Sequence, residues 1–259
     1  MQQKPVIYER FGNQRGSGRC GADQWYEGRG LCDEPAREVL GSSNRSNIEL
    51  LEEGLSSERY DDNERGTRYQ QEEVGNRIIE NAKAHGLFIP IKETQQLGER
   101  YDKSSGESVV YYNDTDQKVY KIKDPFAKYP IKGHAVSDVL YEHILHNMLF
   151  PNVPYTLEGV SEDLGDLRLV FSQPYLRACF EPATQKQIDD FLTNKLGLMK
   201  VNRYFYSNEY CSITDIGAVG DNVLVDDSGT LYFIDPIIKF KMPAYEALKK
   251  IKSPLIRIY

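Results

Sequence analysis

The sequence predicts an α+β fold with an antiparallel, β-rich first lobe, a smaller and more helical second lobe, and a polar extension in front of both. Three observations carry that expectation. Between Leu97 and Ile122, β-rich segments alternate with turn residues; helical apolar spacing follows over 137–150 and returns after Thr184; and the composition changes near residue 70. A chain of 259 residues can bury a sizeable core, which excludes a disulfide-stapled miniprotein. With Lys+Arg 32 against Asp+Glu 39, the net charge of −7 does not suit a protein wrapped in nucleic acid or lying on anionic lipid.

Residues 1–70 are rich in Gly, Arg, Asn, Ser and Glu, as from Arg15 to Arg19 and Glu58 to Arg65, and their apolar residues stand mostly alone. Such a stretch is expected to be a flexible extension. Its Arg-Gly pieces resemble nucleic-acid-binding tails, but the interleaved acids and scarce aromatics favour a plain tail, with Trp25 a docking anchor at most. A short helix near Ile48 to Leu55 is its best ordered segment, since Ile48, Leu51 and Leu55 share one face. From Glu72, Val74, Ile78, Ile79 and Ala82 recur at helical spacing and stop near His85 and Gly86, so the main domain is placed at 71–259.

Three strands should follow: Leu97 to Lys103, Val109 to Tyr112 and Lys118 to Ile122, with turns at 104–108 and 113–117. A helix from Ser137 to Phe150 carries Leu140, Ile144, Leu145, Met148 and Leu149 on one stripe, and Pro151 and Pro154 stop it. Strands at Tyr155 to Val160 and Leu167 to Phe171 complete a first lobe over 71–175. Thr184 with Gln187 makes a capping box for a helix whose face is Ile188, Phe191, Leu192 and Leu196, opening a second lobe over 176–259. No internal repeat is evident.

The segment 215–235 is chemically the most informative. Val223 to Val225 and Leu231 to Ile234 read as two short strands around a loop in which Gly229 supplies a positive φ. Such a hairpin brings Asn222 and Asp235 together at its open end. Two oxygen ligands, with no imidazole or thiolate beside them, suit a hard ion such as Mg²⁺.

The run from Asn222 to Asp235 resembles the metal-binding hairpin of protein-kinase-like and aminoglycoside-kinase-like enzymes, in which an Asn and an Asp stand at this same interval. In detail it is similar to the kinase-like domains of the polyvalent proteins of phages and conjugative elements, over roughly residues 72–259. The resemblance implies a two-lobed kinase fold that binds ATP and Mg²⁺ between its lobes. It assigns the metal to Asn222 and Asp235, and phosphate contact to Lys121, with Lys123 the rival because both lysines point the same way along a strand. Glu142 would hold that lysine, the backbone around Ser105 and Gly106 would cover the phosphates, and Gln173 to Leu176, with Tyr175, would touch the adenine. Asp215 would be the catalytic base. There the pattern departs: the position five before Asn222 is Gly217, Asp215 lies seven before, Asp221 is a further candidate, and no histidine follows His146. Only 24 residues follow Asp235, fewer than an activation segment and the usual set of helices need.

The expected function is thus an ATP- and Mg²⁺-dependent phosphotransferase acting on a protein hydroxyl or a small molecule. The alternative is an inactive pseudokinase that binds nucleotide or serves as a scaffold in a mobile genetic element. Cys20, Cys32, Cys179 and Cys211 show no metal-ligand spacing, no apolar run reaches the length of a membrane span, and no basic segment with an apolar core follows Met1. A cytoplasmic, bacterial setting without membrane or nucleic-acid partners is the expectation. His143 and His146 are expected to pack rather than to ligate.

Overall fold

The computed structural model describes residues 68–101, 108–126, 136–176, 180–216, 222–242 and 247. Helix α1 (Arg68–Ala84) places Val74, Ile78, Ile79 and Ala82 on its buried face, and the chain leaves it at Gly86, where φ is +71°. One turn of helix, α2 (Ile91–Thr94), was not expected from the sequence; it follows Pro90, whose carbonyl accepts from Glu93 N at 2.8 Å and Thr94 N at 3.2 Å. Strand β1 (Glu99–Arg100) is shorter than the predicted 97–103, and residues 102–107 lie outside the described ones. Strands β2 (Ser108–Asn113) and β3 (Lys118–Lys123), helix α3 (Val136–Leu149), and strands β4 (Thr156–Asp163) and β5 (Asp166–Pro174) then follow in the predicted order.

These strands form an antiparallel sheet in the order β1-β2-β3-β5-β4. On one face, Val74, Ile78, Ile79 and Ala82 of α1 and Val136 and Leu140 of α3 pack on Leu157, Val160, Leu169 and Phe171. On the other, Tyr111, Tyr120, Ile122 and Val170 gather with Ile89 and Leu97. A bulge in β4 between Leu157 and Gly159 lets the segment 87–89 cross closely, with Val160 N donating to Leu87 O at 2.8 Å and Ile89 N to Val160 O at 2.7 Å. A Cβ at Gly159 would stand 2.3 Å from the Leu87 carbonyl oxygen, so this approach requires glycine.

Beyond Leu176 the chain differs from expectation. The second lobe predicted as helical is rich in strands among the described residues; Ala247 is helical, and one short α-helix is described in full. That helix, α4 (Gln185–Asp190), has the predicted capping box: Thr184 Oγ1 accepts from Gln187 N while Gln187 Oε1 accepts from Thr184 N. It passes into a π-helical turn, Phe191–Lys195. Strands β7 (Met199–Asn202), β8 (Phe205–Ser207), β9 (Cys211–Thr214) and β12 (Ile237–Phe240) form a second sheet in the order β12-β9-β8-β7. Side-chain turns join them: Asn202 Oδ1 accepts from Tyr204 N, and Asn208 Oδ1 from Tyr210 N and Cys211 N. Strands of three or four residues are too short to show a period-two pattern, which is why they were not foreseen.

The predicted hairpin is present. Strands β10 (Val223–Val225) and β11 (Leu231–Phe233) pair with Val223 opposite Phe233, and β10 also pairs with β6 (Glu181–Pro182). Its loop is knotted on Asp226, whose Oδ1 accepts from Ser228 N and Thr230 N and whose Oδ2 accepts from the Tyr232 hydroxyl; Gly229 has φ +84°. A second core gathers α4, β9, β10 and β11 around Tyr206, Phe150 and Phe233. Helix α3 serves both cores, with Val136 and Leu140 in the first and Leu145 and Leu149 in the second. No helix among the described residues is long and apolar enough to cross a membrane. Of the predicted extension 1–70, residues 1–67 with the short helix lie outside the described residues, and residues 68–70 belong to α1.

Candidate functional site

Strand β3 sits between β2 and β5, and its register sets Lys121 opposite Val110 on one side and Phe171 on the other. Lys121 is 4% exposed, so its ammonium has left water and needs a charge beside it. Asp235, just past β11, supplies one: Lys121 Nζ lies 3.3 Å from Asp235 Oδ1. The carboxylate is seated in the protein wall while 49% of its side-chain surface stays open to solvent. Burial pushes its pKa up, but the charges of Lys121 and Lys123 and the hydrogen bonds it accepts hold it well below the usual carboxylate range.

Between these two groups stands a residue the sequence reading did not select. Lys121 Nζ donates to the Tyr155 hydroxyl at 3.1 Å, and that hydroxyl approaches Asp235 Oδ1 at 3.1 Å and the Ile234 carbonyl oxygen at 3.2 Å. Both lysine ammoniums lie over the Tyr155 ring, Lys121 at 5.1 Å and Lys123 at 5.5 Å from its centroid. Burial, and then the neighbouring Asp235 charge, raises the phenol well above its ordinary pKa, so the hydroxyl keeps its proton. Lys123 differs from Lys121 in its neighbour: its Nζ meets His143 Nε2 at 3.4 Å.

The two helix histidines do pack, as expected, and they pack against this residue. His143 lies flat on Phe171 at 4.0 Å and edge-on to Tyr155; His146 also meets Tyr155 edge-on, at 4.7 Å. Val139 O accepts from His143 Nδ1, which leaves Nε2 as an acceptor facing Lys123, and Phe233 O accepts from His146 Nε2 at 2.9 Å. Burial first, and nearby lysine charge second, drives His143 well below its normal pKa; burial lowers His146 to about 4. Both rings are therefore neutral near pH 7.

At the hairpin's open end, Ile234 N donates to Asn222 O at 2.8 Å, and Asn222 Nδ2 donates to Asp215 O at 2.8 Å and to Asp235 O at 3.3 Å. The three predicted residues Asp215, Asn222 and Asp235 thus meet through one side-chain amide. With its nitrogen on two carbonyls, the Asn222 amide turns its oxygen away from them. Asp215 holds φ +61°, a left-handed conformation uncommon outside glycine, directly after β9. Asp221 and Gly217 lie outside the described residues, as do Ser105 and Gly106. Glu142 is half-buried on α3, next to His143. Gln173 is 3% exposed, opposite Val119; its Nε2 donates to Val153 O at 3.1 Å, while its Oε1 has no hydrogen-bond partner among the described residues. Tyr175 follows, stacked on Tyr112 at 5.9 Å with its N bonded to Gln117 O.

A family model described as "Serine/Threonine/Tyrosine Kinase found in polyvalent proteins" matches residues 71–242, about two thirds of the chain. The chain belongs to this polyvalent-protein kinase family. No curated protein and no solved structure matches it. The match takes in β3, α3, Tyr155 and the whole hairpin, so the Lys121–Tyr155–Asp235 cluster is part of the kinase-family domain. Among its described residues no three His, Cys, Asp or Glu side chains come close enough to hold a metal.

Two supporting residues of this domain also escaped the sequence reading. Asn147 Nδ2 donates to Tyr155 O, and Asn147 Oδ1 accepts from Tyr155 N, each at 2.7 Å. Asn152 Nδ2 donates to Leu231 O at 3.2 Å, tying the α3–β4 connection to the hairpin. The only local hint was the pair of prolines, Pro151 and Pro154, which fix a rigid connection after α3.

Proposed function

We propose that the chain is an ATP- and Mg²⁺-dependent phosphotransferase of protein-kinase type whose acceptor is a protein hydroxyl, acting in the bacterial cytoplasm within a mobile-element system. The observation that carries this reading is the meeting of the Lys121 ammonium with the Asp235 carboxylate beside Asn222, within a domain of the kinase family. The nucleotide would lie between an N-lobe over 71–175 and a C-lobe over 176–259.

In this reading the side-chain oxygens of Asn222 and Asp235 would hold the metal, and Mg²⁺ would supply positive charge to offset that of the nucleotide phosphates. Lys121 passes from Asp235 to the α- and β-phosphate oxygens, with Glu142 taking over as its partner. The oxygen of buried Gln173, without a partner among the described residues, and the buried apolar Val110 and Val119 line the approach to the base, with Tyr175 at its edge. Backbone N–H groups around Ser105 and Gly106 would cover the phosphates. Asp215, held by Asn222 through its carbonyl, orients the acceptor hydroxyl and takes its proton as the new O–P bond forms and ADP leaves.

Transfer of labelled γ-phosphate from ATP to candidate proteins, and to the chain itself, tests this. Asp215→Asn should abolish transfer and spare nucleotide binding, whereas Asp235→Asn should lose metal-dependent binding as well. Failure of the wild type to label any acceptor, itself included, would contradict the reading.

A further inference from the structure

The buried Tyr155 hydroxyl has no role in the scheme above, yet it is the atom on which that site is assembled. Among the described residues, the side-chain contacts of the Asp235 carboxylate fall on one oxygen: Lys121 Nζ at 3.3 Å and the Tyr155 hydroxyl at 3.1 Å both meet Oδ1. The phenol is fixed from every side. Asn147 bonds both of its main-chain groups, His143, His146 and Phe171 surround its ring edge-on, and the Ile234 carbonyl meets its hydroxyl. A ring needed only to fill the core would not require a hydroxyl there. A hydroxyl 4% exposed in its residue is tolerated only because Lys121 donates to it while it donates onward.

We infer that Tyr155 is a positioning residue: its hydroxyl holds Asp235 Oδ1 on the protein side and leaves Oδ2 as the atom with which Asp235 meets a divalent cation. This deepens the phosphotransfer reading and rests on it. The same hydroxyl accepts from Lys121 before ligand arrives; once Lys121 passes to the phosphates, its hold on Asp235 Oδ1 remains, so the carboxylate does not have to be reoriented from solvent.

The experiment uses the full chain as wild type, Tyr155→Phe and Asp235→Asn. Uptake of Mn²⁺ in the presence of ATP is followed by electron paramagnetic resonance, and ATP binding without metal by calorimetry. Tyr155→Phe keeps the ring and should weaken Mn²⁺–ATP binding about tenfold, the size expected for one hydrogen bond to a charged group, while metal-free ATP affinity stays within about twofold. Wild-type Mn²⁺–ATP affinity in Tyr155→Phe, or an equal loss in both measurements, would overturn the proposal and leave Tyr155 a packing residue. If wild type and Asp235→Asn take up Mn²⁺–ATP equally or not at all, the phosphotransfer reading fails and this inference falls with it. Should Tyr155→Phe not fold, Asn147→Ser keeps the hydroxyl but loosens its mooring and should show the same split at about threefold; no split there overturns the proposal.

Discussion

Lys121 on β3 and Asp235 after β11 form an ion pair with 3.3 Å between Nζ and Oδ1, one partner almost wholly buried and the other half open. That asymmetry has a physical consequence. The ammonium depends on the carboxylate for its stability in the interior, whereas the carboxylate retains a face through which solvent, or a cation, can reach it.

Asp235→Asn should therefore destabilise the domain, by roughly 1–2 kcal/mol in guanidinium denaturation. The cost falls short of the roughly 3–5 kcal/mol of a fully buried pair because solvent screens the open side of Asp235. Since folding holds this carboxyl below its unfolded value, the pair's contribution is complete above about pH 4 and is lost as the pH falls further.

His146 gives acid sensitivity in a higher window. Its pKa of about 4 in the folded chain lies below the unfolded value near 6.5, so the unfolded chain binds the extra proton between those limits. Stability should fall as the pH drops from about 6.5 to 4, by roughly 3 kcal/mol in all for a ring this deeply buried. His146→Gln, which can still donate to Phe233 O, should flatten that part of the profile when denaturation midpoints are compared across pH.

Asn147→Ala would strand the buried N–H and C=O of Tyr155 at once. A loss of roughly 2–4 kcal/mol is expected in thermal unfolding, more than one ordinary hydrogen bond contributes, because two main-chain groups lose their partner in a dry setting.

Gly159→Ala should destabilise by roughly 1–3 kcal/mol although it adds a single methyl group. The new Cβ would meet the Leu87 carbonyl oxygen, and the strand crossing at the β4 bulge would have to open. Gly165→Ala is a useful contrast: no atom lies within 4 Å of its Cβ, so any cost there comes from its φ of +88° alone.

Much of the framework was legible because its signals are local. The turn residues between β2 and β3, the apolar stripe of α3, the capping box at Thr184 and the Gly229 turn each declare themselves within a few residues. The interval from Asn222 to Asp235 was readable for the same reason, since a hairpin returns its ends to one place. Tyr155 was not, because its partners come from β3 and from the chain 80 residues later, and nothing near it in sequence announces that encounter. Lys121 and Lys123 share a strand face, so periodicity left them equivalent; tertiary neighbours tell them apart, Asp235 beyond β11 for one and His143 of α3 for the other. The short strands β7 to β9 were missed because three or four residues joined by Asn-based turns show no period.

The central claim, a metal-dependent nucleotide site built on Asp235, is tested most directly by thermal unfolding of wild type and Asp235→Asn with ATP, each with and without Mg²⁺. At about 100 times its dissociation constant the ligand should stabilise the wild type by roughly 2.7 kcal/mol. The account predicts a rise in unfolding temperature that requires Mg²⁺ and disappears in Asp235→Asn. No rise in the wild type, or the same rise in Asp235→Asn, would contradict it.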